Sequence, residues 1–435
     1  MNSISRTRKR KNERGQILLM LAVALPMLLL FLGLAIDAGF AYVTRARLSK
    51  AVDAACLTTM KNLSQGQSVA AALGTNSFNA NYPTTGLDSI PPAVNLTFTT
   101  DANGNTLINA TGTATIKTFF IRILPQFRTV SVADRAQATR AKLVMSLMLD
   151  RSGSMQNNGG WSALPPAVKS FVSDFDDTND YVAMVSFASN ATVDFPIGHS
   201  FQTPITSLMN GAWSSRSFFA GGTFGPGALT LAKAQNDSVI TTANIVKVAV
   251  YFTDGKVNII QDTFNCTSSL GPTLYNYGGY DSDIYYDFFN PADGTDYSTT
   301  YGHYDRQFGG NWGLDNNGYP PHDSSKDCSG VTRFISQIDG SQKLFSRTNI
   351  TNDAQYRALQ TANALRAEVP STIIYSIGLG SDVDKVFLQE IANDPASPTY
   401  DPTKPAGMAV FAPTPAQLQT VFQTIASKIL LRLTR

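Results

Sequence analysis

Leu143-Val144-Met145-Ser146-Leu147-Met148-Leu149, a nearly unbroken apolar run, ends in Asp150-Arg151-Ser152-Gly153-Ser154-Met155. Two later stretches complete it. Gly221-Gly222-Thr223 stands at the mouth of a predicted helix, and Thr253-Asp254-Gly255 closes a second apolar run, Val246 to Phe252. Such continuous runs are what strands buried on both faces of a parallel sheet require, because neither face meets water. In open α/β sheets, ligands bind beyond the carboxyl ends of the strands. Asp150 and Asp254 both follow such an end. Asp150, Ser152, Ser154, Thr223 and Asp254 together offer two carboxylates and three hydroxyls, all oxygen donors. Hard divalent cations take oxygen ligands, and Mg²⁺ wants about six in near-octahedral array, often keeping waters. Asp-x-Ser-x-Ser alone is a weak signal, since Ser-rich loops produce it by chance. Three pieces in this order, each at a strand end or helix start, are a strong one. The rival is an ordinary strand-to-helix turn capped by Ser and Asp.

These residues resemble the metal-ion-dependent adhesion site of von Willebrand factor type A domains. The resemblance runs from about Lys142 to the C-terminus, with one long interruption. It implies an α/β, Rossmann-like domain with a parallel-rich central sheet and helices on both faces. It also implies that Asp150, Ser152, Ser154, Thr223 and Asp254 hold one divalent cation, Mg²⁺ first, with Mn²⁺ and Ca²⁺ as alternatives. Members of the family typically bind protein ligands there, as adhesion or assembly modules. Charge counting agrees: two carboxylates neutralise the cation, hydroxyls fill other positions, and a remaining position suits a carboxylate from a protein partner. Catalysis by Ser152 or Ser154 would need a base. The chain holds His199, His303 and His322, none in a recognisable catalytic motif, and neither Ser lies in a Gly-x-Ser-x-Gly elbow. The expectation is binding, without enzyme activity.

The 435 residues suggest two or three domains. Their formal charge of +2 conceals an asymmetry. Residues 1–15 carry Arg6, Arg8, Lys9, Arg10, Lys11 and Arg14 against Glu13, a local +5, so the rest of the chain is at −3. The pI of about 8.3 belongs to this tail, and no basic face for nucleic acid follows from it. Ile17 to Ile36 is a run of 20 residues without a charge, long enough to span a hydrocarbon core of about 30 Å. Pro26 inside it is tolerable in a membrane helix. A cleaved signal peptide is the rival, but its apolar core would run about 7–15 residues and meet a small-x-small cleavage site. Here the run is longer and passes through Asp37-Ala38-Gly39-Phe40 to Tyr42, Arg45 and Arg47. The expected layout is a basic cytoplasmic tail at 1–15, a single-pass anchor at 16–36, and everything after Asp37 outside.

Residues 37–141 read as a helical stalk and a small β-rich region. The helical period continues from Tyr42 to Leu63, with Cys56 on a stripe beside Leu48, Val52, Ala55 and Met60, as a buried small apolar residue, the alternative being an intermolecular bridge. Alternation then takes over at Val94, Leu96 and Phe98, and again at Ile108, Ala110, Gly112, Ala114 and Ile116, around an Asp101-Ala102-Asn103-Gly104-Asn105 turn. Val130 and Val132 suggest a third strand. A long helix against a small antiparallel sheet is a pilin-like layout. Arg14-Gly15-Gln16, the apolar run, the Asp37-x-Gly39 exit and Arg47-Leu48-Ser49-Lys50-Ala51-Val52-Asp53-Ala54-Ala55 resemble the N-terminus of TadG-like proteins of bacterial tight-adherence (Flp) pilus systems. That similarity covers about residues 12–60, and several such proteins carry a C-terminal von Willebrand A domain. It implies a bacterial inner-membrane protein with its C-terminal domain periplasmic or extracellular, and other pilus-assembly or envelope proteins as partners. Met20 stands where pseudopilins carry Glu, five residues after Gly15, which argues against prepilin processing. A free-standing envelope adhesin or sensor is the alternative.

Within 142–435, strands are expected at 143–149, 181–188, 246–252, 371–378 and 408–411, with an antiparallel edge strand at Ala191 to Ile197. Helices are expected at 163–175, 225–235, 352–367, 382–392 and 415–432. Between about 259 and 350 the alternation stops. Nine of the 16 Tyr fall between Tyr275 and Tyr319, among Gly, Asn and Asp. That composition suits either a binding surface or an ordered loop with inward-packed rings. Cys266 and Cys328 flank this insertion and are candidates for a disulfide in an oxidising compartment, the alternative being two free thiols. Asp281-x-Asp283 and Asp315-Asn316-Asn317-Gly318 are weak Ca²⁺ candidates, without a full EF-hand pattern.

Overall fold

In α1 (Arg14–Lys61), 48 helical residues run without a break, about 72 Å at 1.5 Å per residue. The computed structural model describes residues 14–82, 88–101, 105–219, 221–240, 245–264, 273–279, 286–289 and 331–433. The chain divides into two compact units: Met1–Thr100 with Thr106–Thr139, and Asp101–Asn105 with Arg140–Arg435.

The N-terminal unit is built on α1. Its first half is apolar and exposed, long and apolar enough to cross a bilayer. Its second half buries Leu48, Val52, Ala55, Cys56 and Met60 at helical spacing. This stripe packs on β2 (Thr106–Lys117), where Ile108, Ala110, Ala114 and Ile116 are buried in alternation. β2 lies between β1 (Asp88–Thr100), its antiparallel partner, and β3 (Thr129–Arg140). Cys56 is buried, and its thiol donates weakly to the Ile108 carbonyl at 3.7 Å. α2 (Gln67–Asn81) was not foreseen. Its buried positions are Ala70, Gly74 and Phe78, so small residues replace the apolar stripe that signals an amphipathic helix. Gly74 permits the close approach: a Cβ there would stand 1.9 Å from the Thr59 hydroxyl.

The second unit alternates strand and helix. Its elements are β4 (Lys142–Asp150), α3 (Ser154–Asn157), α4 (Gly160–Ser173), β5 (Tyr181–Phe187), β6 (Ala191–Gly198), α5 (Gln202–Asn210), α6 (Gly225–Ser238) and β7 (Ile245–Thr253). After them come β8 (Ile259–Phe264), β9 (Thr273–Gly279), β10 (Tyr286–Phe289), β11 (Arg333–Ile335) and β12 (Gln342–Leu344). The chain finishes with α7 (Arg347–Arg366), β13 (Thr372–Leu379), α8 (Lys385–Ala392), β14 (Met408–Ala412) and α9 (Leu418–Leu433). The central sheet has the order β14-β13-β7-β4-β5-β6. All neighbours in it are parallel except β6, which joins β5 antiparallel at the edge. Because strand residues alternate faces, Leu143, Met145, Leu147 and Leu149 pack under α4 and α9, while Met148 joins Val185, Ala249 and Tyr251 against α6, α7 and α8. α9 buries Leu418, Phe422, Ile425 and Ile429 and leaves Leu430 half-buried. It therefore belongs to the core.

From β4 the chain steps to β5 on one side and returns to β7 on the other. That reversal opens a crevice beyond the carboxyl ends of β4 and β7, where open α/β sheets bind ligands. Several helix boundaries moved by a few residues, α7 the most. α7 starts at Arg347 because Ser346 caps it, accepting the Asn349 N–H at 3.2 Å. Past 259 the strand–helix alternation gives way to antiparallel strands among the described residues: β8 buries Ile259, Ile260 and Phe264 and pairs with β9, which pairs with β10. Cys266, Cys328, Asp281, Asp283, Asp315 and most of the Tyr-rich stretch lie outside the described residues, as do Ala102, Asn103 and Gly104 of the first turn.

At the far end of the sheet, Arg140 Nη1 and Nη2 donate to the two oxygens of Asp180 at 2.7 and 2.6 Å, with both side chains buried. The same carboxylate accepts the backbone N–H groups of Leu143 and Asp176. Breaking a buried pair from one side leaves an uncompensated charge. Asp180→Ala should therefore cost the 140–435 fragment about 3–5 kcal/mol in denaturant unfolding. A loss under about 1 kcal/mol would mean the pair behaves as a solvent-screened one.

Candidate metal centre

β4 ends at Asp150, and the next N–H, of Arg151, still bonds the Phe187 carbonyl of β5 at 2.9 Å. The chain then turns so that Asp150 Oδ1 accepts the Ser152 N–H at 2.7 Å, while Oδ2 accepts the Thr253 hydroxyl at 2.5 Å. Ser152 and Ser154 bring their hydroxyl oxygens to 3.0 Å. Ser154 Oγ donates to Asp254 Oδ1 at 2.7 Å, and Asn158 Nδ2 donates to Oδ2 at 2.5 Å. The third loop is stitched to both strand ends. Gly153 N–H bonds the carbonyl of Gly221 at 3.0 Å, and Phe224 N–H bonds that of Ala188 at 2.8 Å. Gly221 takes a φ of +85°, a region that favours glycine. Thr223 is held through its backbone, its N–H donating to Asn258 Oδ1 at 2.7 Å and its carbonyl accepting the Asn258 N–H.

Burial dominates the electrostatics. Asp150 is fully buried and Asp254 is 2% exposed. Burial first, and the Asp150 charge second, push Asp254 up to about 7. Burial likewise raises Asp150, although Ser152 and Thr253 hydrogen bonds oppose it. The Tyr251 phenol is raised by its own burial and by Asp150. Arg151 is also buried and lies over the Phe218 ring at 5.0 Å, with Nε donating to Ser186 Oγ at 3.4 Å. Burial lowers its pKa, against the raising effects of Asp194 and Asp150. Two desolvated carboxylates thus share one crevice with hydroxyl donors, and their charged forms call for a cation. Ser154 Oγ joins the set to Asp254 and Ser152 by hydrogen bonds of 2.7 and 3.0 Å, so three oxygens already lie side by side. The donor set fits a hard divalent cation.

A cleft of about 910 Å³ opens above. Ser152, Ser154, Thr223 and Asp254 line it, with Lys256, Arg347 and Lys385 also in its wall. All five residues expected from the sequence meet at this place, Asp150 beneath the others. Thr253, Asn158 and Asn258 were not expected, and they orient Asp150, Asp254 and Thr223. Thr253 directly precedes Asp254, and Asn158 is one helical turn after Ser154; those spacings were the available signals. Among the described residues no three His, Cys, Asp or Glu side chains converge, so the centre rests on hydroxyls. His199 lies at the opposite end of β5, its Nδ1 2.8 Å from the Asp180 carbonyl and its ring against Tyr181.

Two family models match the chain. Residues 15–61 match the Tad model, Flp pilus-assembly TadE/G-like, and residues 145–284 match the von Willebrand factor type A domain. The chain thus joins a TadE/G-like N-terminal segment to a von Willebrand A domain. No curated protein matches. Solved structures similar to it include the pilus adhesin SpaC from Lactobacillus rhamnosus GG, at 15% identity and a TM-score of 0.39, covering 79% of this chain and 34% of the adhesin. The chain therefore spans about a third of that adhesin's length. The vWF domain of the type V pili tip protein Mfa5 from Porphyromonas gingivalis gives 15% identity and a TM-score of 0.39, covering 68% of this chain and 97% of that one. Proximal thread matrix protein 1 from the mussel byssus, in a form with a zinc-occupied MIDAS motif, gives 14% and 0.36, covering 67% and 46%.

Asp254 sits at about 7 in the folded protein, above an ordinary Asp value of about 3.9. The folded state therefore binds the extra proton, and without a cation its stability falls as pH rises from about 4 through 7. In chelator, the 140–435 fragment should lose part of its thermal stability between pH 5 and pH 8, and Asp254→Asn should remove that part of the slope. An identical slope in the variant would contradict this account of Asp254.

Proposed function

We propose that this protein is a membrane-anchored, metal-dependent protein-binding module of a bacterial tight-adherence pilus system. Its C-terminal unit lies outside the inner membrane. The observation that carries the reading is the pair of desolvated carboxylates, Asp150 and Asp254, set among hydroxyls at the floor of an open cleft. In this reading Asp150, Ser152, Ser154, Thr223 and Asp254 hold one divalent cation, and an all-oxygen donor set suits a hard ion, Mg²⁺ first. The bound cation supplies Lewis-acid attraction for a carboxylate. Exposed Lys256, Arg347 and Lys385 share the cleft wall with Asp382 and Asp384, so a partner meets both charges there and the cations are placed to pair with its acidic groups.

The TadE/G-like match, with the apolar half of α1, supports a single-pass anchor in a pilus system. Orientation rests on the basic tail before Ile17, which keeps the N-terminus cytoplasmic. The role is binding rather than catalysis. Ser154 bonds both Ser152 and Asp254, and His199, the one His among the described residues, lies at the other end of β5.

Calorimetry on the 140–435 fragment should show Mg²⁺ or Mn²⁺ binding that Asp150→Ala and Asp254→Ala each abolish, with cooperative unfolding retained. The double variant Lys256→Glu, Lys385→Glu should keep cation affinity but recover less envelope protein in Mg²⁺-dependent capture. Unchanged metal affinity in both Ala variants would sink the assignment of the centre.

A further inference from the structure

From Met20 to Phe40 the surface of α1 is exposed except at two positions one turn apart, Gly33 and Asp37. Both are covered by the loop between β2 and β3, Thr118-Phe119-Phe120-Ile121-Arg122-Ile123-Leu124-Pro125-Gln126-Phe127-Arg128. The Asp37 carboxylate accepts three successive backbone N–H groups of that loop, from Phe119 at 2.8 Å, Phe120 at 3.0 Å and Ile121 at 2.9 Å. At Gly33 an added Cβ would stand 2.5 Å from the Phe120 Cβ, so the side chain rests on bare helix backbone. Phe119 lies against Phe40 with ring centroids 5.5 Å apart. Thr118 closes the loop's base, its N–H bonding the Arg128 carbonyl and its hydroxyl the Phe127 carbonyl.

What the loop turns outward is apolar. Phe119, Phe120, Leu124 and Phe127 are exposed, and Ile123 is 79% exposed. Arg122 and Arg128 stand exposed among them. Five exposed large apolar side chains in eleven residues are not what a water-facing turn carries. Their level along α1 explains them. Gly33 precedes Ile36, the end of the charge-free run, by three residues, or about 4.5 Å of helix. Phe120 is therefore held level with the last turn of that run. The apolar face of the loop continues the bare apolar surface of α1. Aromatic rings mixed with Arg are the composition of a membrane–water interface, where rings enter the acyl boundary and guanidinium groups reach lipid phosphates.

We propose that the 118–128 loop is a second membrane contact, seated in the outer-leaflet interface with its Phe, Ile and Leu side chains among acyl chains and Arg122 and Arg128 at phosphates. Asp37 and Gly33 fix its depth. A helix alone is free to tilt and rotate in a bilayer, and interfacial anchors set both. The loop ties the β1–β3 sheet to the membrane surface at a fixed height. This inference rests on the reading of α1 as a membrane span.

The test uses the full chain reconstituted in phosphatidylcholine–phosphatidylglycerol vesicles. Carbonate-resistant retention of the parent checks the anchor by itself. Ile123→Trp then adds a fluorophore, read as the difference from the parent with its three Trp. The added emission should be blue-shifted and quenched by lipid brominated near the top of its acyl chains. In the same background, Asp37→Ala should weaken that quenching while carbonate resistance persists. Added emission quenched by aqueous acrylamide and not by bromolipid would place the loop in water and overturn the proposal. Emission reached by neither quencher would mean a protein surface covers the loop, which overturns it equally. A parent chain extracted by carbonate would overturn the anchor reading and this one with it.

Discussion

The C-terminal unit is organised around two carboxylates that the fold takes out of water at adjacent strand ends. Asp150 and Asp254 are there because β4 and β7 are neighbours whose following segments diverge, and the crevice between them is unavoidable in this strand order. Burial makes two like charges costly at that spot. The structure answers with hydrogen-bond donors, Ser152 and Thr253 on Asp150, Ser154 and Asn158 on Asp254. Those donors lessen the cost without cancelling it, since both carboxyls remain raised. That remaining cost is one that a bound divalent cation would relieve.

Much of this was legible because parallel strands buried on both faces have no freedom in composition. Leu143 to Leu149 and Val246 to Phe252 read as core from their composition alone, and both became strands of the central sheet. Asp150, Ser152, Ser154 and Asp254 were legible because they follow those runs, and Thr223 because it stands before the start of α6. Thr253, Asn158 and Asn258 were not, because their roles depend on which side chains the turns bring within 3 Å, and spacing alone does not say. α2 escaped for a different reason. Ala70 and Gly74 pack by being small, so hydrophobic periodicity has nothing to detect. α5 (Gln202–Asn210) escaped as well, with only Ile205 and Met209 buried in nine residues.

The N-terminal unit shows the same limit in Asp37. In sequence it marks where an apolar run ends. In the structure it gathers three N–H groups from residues more than 80 positions away, a contact that no local pattern announces. The exposed aromatics of that loop were equally unread, since Phe119 to Leu124 look like one more apolar segment until their exposure is known.

Asp37 and Asp254 are both buried carboxylates with their oxygens engaged, yet they are built for different work. The partners of Asp37 are backbone N–H groups, fixed by the loop's own conformation. Those donors cannot swing away without unfolding the turn, so the carboxylate is committed to holding two segments together. The partners of Asp254 are Ser154 and Asn158, both exposed side chains that rotate about single bonds. A hydroxyl can turn its proton aside and present a lone pair instead, so Ser154 can pass from donating to Asp254 to sharing a cation with it. Asn158 can release Oδ2 at the cost of one hydrogen bond, of order 1.5–3 kcal/mol for a charged acceptor. Exchangeable donors over a desolvated charge make a site, whereas backbone donors make a clasp.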